Sequence, residues 1–179
     1  MNHLLLKFQD TQNQIRELRS FGPAPILLVF LRHLGWVLCR AHLGDIRDQY
    51  PLFKDINATV VAITFSSPAE AFKLAQELNL PFPLVSDSQK EAYKVFELGS
   101  AQWKDFLLPK VLWKFMGRII TGWLPSLGYS KDDLFQLGGD FVVDAKGEVV
   151  YAFKSSSPAD RPTIQFLLDQ LQKAQTGDN

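Results

Sequence analysis

The apolar positions of this chain fall into blocks whose spacing switches from continuous to every third or fourth residue and back. Each switch predicts an element. Residues 26–31 (ILLVFL) are an unbroken apolar run with β-branched and aromatic members, the pattern of a strand covered on both faces in a parallel sheet. Past Gly35 the period changes: Cys39, Leu43, Ile46, Tyr50 and Phe53 recur at steps of four and three, one stripe of a helix facing a core. Gly44 weakens that helix by about 1 kcal/mol relative to alanine. Pro51 should end or kink it just after Gln49 or Tyr50. Residues 59–65 (TVVAITF) form a second buried strand one helix further on, which predicts a parallel βαβ unit.

On either side of this unit the pattern is more interrupted. Upstream, residues 3–8 (HLLLKF) read as a short strand, and residues 9–20 carry Ile15 and Leu18 among polar neighbours before the stop FGPAP. Downstream, Ser67, Pro68 and Glu70 have the spacing of a capping box and open a helix that carries Phe72, Leu74, Ala75 and Leu78 and closes at Asn79. Residues 81–85 predict a short strand. Ser88 and Glu91 open another capped helix, which runs through Tyr93, Val95, Phe96 and Leu98 to a stop at Gly99. Residues 138–144 and 148–154 are two strands joined by the turn Ala145-Lys146-Gly147, an antiparallel hairpin. A polar link, 155–162, leads to a last helix over 163–174 with Ile164, Phe166, Leu167, Leu168 and Leu171 on its apolar face.

Residues 101–129 have a different character, holding three of the four tryptophans. Lys110, Lys114 and Arg118 stand four apart and line one helical face, with Val111, Leu112, Phe115, Met116, Ile119 and Ile120 around the rest. Two uses follow: a helical insertion docked on its own domain or on a second subunit, giving a homodimer, or a segment, 101–124, in contact with a membrane surface or covering an apolar substrate. Pro109, Gly117 and Gly122 interrupt the helix and favour docking.

Bulk properties narrow the function. At 179 residues and 46% hydrophobic, residues 1–179 suffice for one domain that buries roughly 70% of its unfolded surface, with a core over about 22–175 and the insertion over about 101–130. Nineteen basic and nineteen acidic residues cancel, so no long-range field draws in nucleic acid. No apolar run reaches the length of a membrane span, and MNHLLLKFQD lacks a cleavage-site pattern, which predicts a soluble, cytoplasmic protein. One cysteine allows no internal disulfide. Three scattered histidines show no metal spacing, Gly138-Gly139 is too short for a phosphate loop, and no cofactor is expected.

The candidate chemistry gathers where the first core strand hands over to its helix. Cys39 lies in the first helical turn, where unpaired N–H groups and the helix dipole favour an anion and ease ionisation of a thiol. The competing reading is a small apolar side chain packed under the helix start. Around it, His42 shares the Cys39 face one turn on, Arg40 points about 100° round the helix, and Arg32 and His33 end the preceding strand. Ordinary roles stand beside these: a solvated Arg40, His42 at the edge of the stripe, His33 in a loop. Gly138-Gly139 reads as a tight start to a strand beside the active turn, and Asp140 as a neighbour whose charge would oppose ionisation of Cys39.

The element order is βαβ, then helices with a short strand, then a hairpin and a closing helix. It predicts an α/β thioredoxin-like fold, a mixed central sheet flanked by helices with a helical insertion before the C-terminal hairpin. The segment LVFLRHLGWVLCR resembles the strand-to-helix active-site segment of the AhpC/TSA-like, peroxiredoxin-like proteins that include prostamide/prostaglandin F synthase. QLGGDFVVDAKGEVVYAFKSSSPAD is similar to that family's closing hairpin and Ser-Pro-x-Asp link. Members commonly carry Cys-x-x-Cys in the turn; the matching residues here are Trp36, Val37, Leu38 and Cys39. Peroxiredoxins proper write the turn as Pro-x-x-x-Thr-x-x-Cys, against which this chain places Arg32 and Trp36 at the Pro and Thr positions.

With only Cys39 present, dithiol exchange is excluded. The resemblance implies a single-cysteine thiol oxidoreductase of antioxidant type, in which Cys39 reduces a peroxide or small redox substrate and an external thiol reductant restores it. Trp36, Arg40 and His42 are the supporting candidates. Trp36 either closes over the sulfur or walls a lipid-sized peroxide. The alternative is a non-catalytic thioredoxin-fold binding protein that has lost the attacking cysteine.

Overall fold

The computed structural model describes residues 2–32, 34, 37–100, 113, 116–117, 119–120, 122, 135–156 and 160–177. Its centre is β3 (Ile26–Phe30), buried along its whole length. β3 pairs in parallel with β4 (Thr59–Thr64), and β4 in parallel with β5 (Leu84–Ser86). On the other side β3 meets β6 (Gly139–Val143) antiparallel, and β6 meets β7 (Val149–Lys154) antiparallel. An N-terminal hairpin of β1 (Lys7–Gln9) and β2 (Ile15–Glu17) joins β5, so the sheet runs β2-β1-β5-β4-β3-β6-β7. The mixed sheet and its flanking helices are the expected α/β arrangement.

Period-two alternation divides β3 between two cores. Leu27 and Val29 face one side. There they pack with Leu43 and Ile46 of α1 (Val37–Asp48), Phe53 of α2 (Tyr50–Asp55), Leu74 of α3 (Pro68–Glu77) and Leu167 and Leu171 of α5 (Ile164–Thr176). Ile26, Leu28 and Phe30 face the other, with Tyr93 of α4 (Glu91–Val95), Phe96 and Phe141. Phe30 makes edge contacts with Tyr93 at 5.0 Å and Phe141 at 5.5 Å between ring centroids. Such pairs add about 0.5–1.5 kcal/mol each beyond burial.

Local sequence explains most boundaries. Pro51 stands in the first turn of α2, which therefore begins afresh instead of continuing α1. The Ser67–Glu70 capping box is formed at the start of α3. Three expectations are corrected. Residues 3–8 are not one strand, because the Asn2 side chain accepts from Leu4 N at 3.0 Å and turns His3–Leu5 into a 3-10 helix before β1 begins. Ser88 does not cap α4. Asp87 does, its carboxylate accepting from the backbone N–H groups of Glu91, Ala92 and Tyr93 at 3.0, 2.8 and 3.2 Å. α4 is also shorter than expected, ending at Val95, with Glu97 in the left-handed region at φ 52°. Among the described residues no helix is long and apolar enough to cross a membrane.

Asp87→Ala should therefore lower the unfolding free energy by about 1–2 kcal/mol in urea titration, and Ser88→Ala by no more than a few tenths. Equal losses would contradict the assignment of the cap.

Candidate active site at the end of strand β3

The carboxyl end of β3 is pinned on both sides. Leu31 N donates to the Ile63 carbonyl at 2.8 Å. The buried Tyr93 hydroxyl donates to the Leu31 carbonyl at 2.7 Å and lies 3.1 Å from that of Ile63. Burial, then the charge of Asp87, raises the Tyr93 hydroxyl well above its ordinary pKa, so it stays a donor. Beyond Leu31 comes Arg32, buried. α1 then starts at Val37 and places Cys39 in its first turn, 1% exposed.

His42, three residues after Cys39 and so on the same helical face, is also buried. It reaches β6, where Asp140 lies beside Val29 in the strand register and has no exposed surface. His42 Nε2 stands 3.1 Å from Asp140 Oδ1. The other carboxylate oxygen accepts from Arg161 Nη1 at 2.8 Å, and Arg161 Nη2 donates to the Phe30 carbonyl at 2.7 Å. One carboxylate thus joins the cysteine-bearing helix to the loop that precedes α5. Gly138 makes room for this. A Cβ there would collide with the Phe30 carbonyl and the Arg161 guanidinium.

The charges follow from this packing. Burial pushes the Asp140 carboxyl up, but the charges and hydrogen bonds of Arg161 and His42 outweigh it and hold the group at about 2. Burial lowers the Arg161 pKa, yet Asp140 and next Cys39 carry it above the ordinary arginine value, so its charge persists. Arg32 moves the opposite way: burial lowers it, against an opposing attraction to Cys39. Two buried guanidinium groups therefore lie within electrostatic reach of the cysteine sulfur. Arg161 Nε is buried and has no hydrogen-bond partner among the described residues.

The structure brings Cys39 and His42 into one cluster and leaves Arg40 out of it. Arg40 is not the solvated arginine expected; its side chain is 11% exposed and pairs with Glu77 of α3 at 2.9 Å. Arg32 does reach the turn, as its place after the strand suggested. Trp36, His33, Lys110, Lys114 and Arg118 lie outside the described residues. Arg161 was missed in the polar link 155–162. Its sequence signal is Gly138, whose missing side chain vacates the space the guanidinium fills.

A mixed sheet of this order, with a cysteine in the first turn after its central strand, defines a thioredoxin-like α/β protein. Residues 45–157 match the AhpC/TSA antioxidant enzyme family, and the chain belongs to it. The match begins C-terminal to Cys39. Alkyl hydroperoxide reductase E of Mycobacterium tuberculosis and of Mycobacterium bovis is 30% identical over 94 residues, 49% of this chain. The aligned stretch spans 61% of the length of those relatives. Among solved structures, the peroxidoxin BcpB of M. tuberculosis superposes with a TM-score of 0.66 at 15% identity, covering 97% of this chain and 93% of that one. Peroxiredoxin Q of Xanthomonas campestris gives 0.66 at 14% over 98% and 92%. The yeast mitochondrial 1-Cys peroxiredoxin gives 0.68 at 13% over 97% and 74%. At these identities the likeness is one of fold.

Two consequences can be measured. The depressed Asp140 group stabilises the fold above its unfolded pKa of about 3.9 and ceases to do so as pH falls through about 2. Urea unfolding from neutral pH down to about pH 2 should show a loss on the order of 2 kcal/mol in that window that is absent in Asp140→Asn, which is already destabilised by about 3–5 kcal/mol at neutral pH. Gly138→Ala should cost about 1–3 kcal/mol in the same assay, because the backbone at Phe30 and the Arg161 side chain must both shift. An alanine variant as stable as the parent would contradict the close approach.

Proposed function

We propose that the protein is a single-cysteine thiol peroxidase in which Cys39 is the nucleophile. The observation that carries this reading is the Arg161 side chain, 10% exposed and fixed by Asp140 and Phe30, whose charge lies within electrostatic reach of Cys39 and whose Nε has no hydrogen-bond partner among the described residues. A peroxide bond breaks when a thiolate attacks one oxygen and negative charge develops on the other. A fixed guanidinium within electrostatic reach of the sulfur favours both the attacking anion and the departing one.

The Cys39 thiolate attacks the terminal peroxide oxygen, forming an S–O bond as the O–O bond breaks. The leaving oxygen departs as alkoxide or hydroxide and takes a proton to become alcohol or water. Cys39 is left as the sulfenic acid. Having no second cysteine, the chain depends on an external thiol, which displaces water from the sulfenic acid to give a mixed disulfide. A second thiol then releases Cys39 and leaves as the oxidised disulfide. The yeast 1-Cys peroxiredoxin of similar fold is described as resolved through glutathione and thioredoxin systems, which supports the same class of reductant here. Arg32 lies within electrostatic reach of the sulfur, and His42, on the same helical face, acts through Asp140; Trp36 remains the candidate for an apolar wall.

One observation favours the non-catalytic binding protein instead: Cys39 is 1% exposed. A single experiment separates the two. After one equivalent of hydrogen peroxide, mass spectrometry with a sulfenic-acid trap should find the adduct on Cys39. With excess small thiol the protein should then consume peroxide catalytically, and Cys39→Ser should not. A thiol that stays unmodified in the folded protein supports the binding reading and ends the peroxidase one.

A further inference from the structure

We infer that Asp140 and His42 are positioning residues for Arg161, and that together they set the distance between the sulfur and the guanidinium. The inference rests on the peroxidase reading of Cys39 and adds to it the means by which the site is held together. Cys39 and Arg161 belong to different elements, α1 and the loop before α5, and both move with whatever those elements pack against. Asp140, on β6, bridges the two elements, with His42 of α1 at 3.1 Å and Arg161 at 2.8 Å. Its two oxygens serve different partners, so neither bond can lengthen without tilting the carboxylate and straining the other.

The geometry also explains why a carboxylate tolerates a place beside a reacting thiol. Alone, Asp140 would repel the anionic sulfur and draw the guanidinium away from it. Tied by His42 on the side of the helix, it cannot swing with Arg161. The second Arg161 bond, to the Phe30 carbonyl, fixes the guanidinium plane and leaves Nε without a hydrogen-bond partner among the described residues. His42 touches neither substrate nor the sulfur in this scheme; it acts through Asp140.

The test uses His42, the partner of Asp140 that lies on the cysteine-bearing helix. His42→Gln keeps an N–H donor near the Nε2 position, whereas His42→Leu keeps volume without a donor, and both remove any imidazole charge. Two quantities are read on the full chain: the single-turnover rate of sulfenic acid formation at Cys39 with hydrogen peroxide, and the heteronuclear NMR signal and solvent exchange of the Arg161 Nε–H. Loss of the tie in His42→Leu should slow the peroxide step by about tenfold or more and leave the later reaction with thiol unchanged, while His42→Gln stays within about threefold of the parent. The Arg161 signal should exchange faster in the Leu variant and resemble the parent in the Gln variant. A Leu variant that is folded and equal to the parent in both readings overturns the inference, and so does a Gln variant as slow as the Leu variant. If the parent itself does not react with peroxide, the peroxidase reading falls, and the Arg161 signal alone decides whether His42 and Asp140 position the guanidinium.

Discussion

The site hangs on one buried carboxylate. Removing an ion the size of Asp140 from water costs several kcal/mol even after relaxation. Arg161 and His42 offset it with three-way charge and hydrogen-bond contact, and in doing so they bring together β6, the loop before α5 and the cysteine-bearing helix. The arrangement is mutual. Arg161 without Asp140 would be a buried cation within reach of another one, Arg32.

The apolar architecture supplies the frame. β3 is covered on both faces, by α1, α2, α3 and α5 on one side and by the Phe30, Tyr93, Phe96 and Phe141 cluster on the other, so its carboxyl end is held without help from solvent. Tyr93 then locks that end to β4. A cysteine placed in the next helical turn inherits this rigidity. On the peroxidase reading that rigidity matters, because a guanidinium favours a transient oxyanion only if it does not have to reorganise as the charge appears.

The elements that could be read in the sequence are those settled within a few residues. The run 26–31, the stripe from Cys39 to Phe53, the break at Pro51 and the Ser67–Glu70 box all depend on neighbours no more than a turn or two away, and they gave β3, α1, α2 and α3 close to their observed limits. Where two polar residues competed for one task, pattern alone misjudged: Asp87 outbids Ser88 at α4 because its longer reach and two oxygens satisfy three backbone donors at once. The site was half legible. Cys39, His42 and Arg32 stood out by their place around the strand-to-helix turn. Arg161 did not, since its contacts join residues 131 and 21 positions away and no local period encodes them. Arg40 was misjudged for the same reason, its partner Glu77 lying on another helix.

The central claim is that the fold activates Cys39 toward peroxide instead of shielding it, although the side chain is buried. The most direct measurement is the second-order rate constant for oxidation of Cys39 by hydrogen peroxide in the folded protein, relative to the same chain in denaturant. Cys39 is the only cysteine, so loss of free thiol reports on it alone. The account predicts that the folded protein reacts faster by at least about 100-fold, the scale of one well-placed oxyanion donor. Oxidation that proceeds only as the chain unfolds would contradict it.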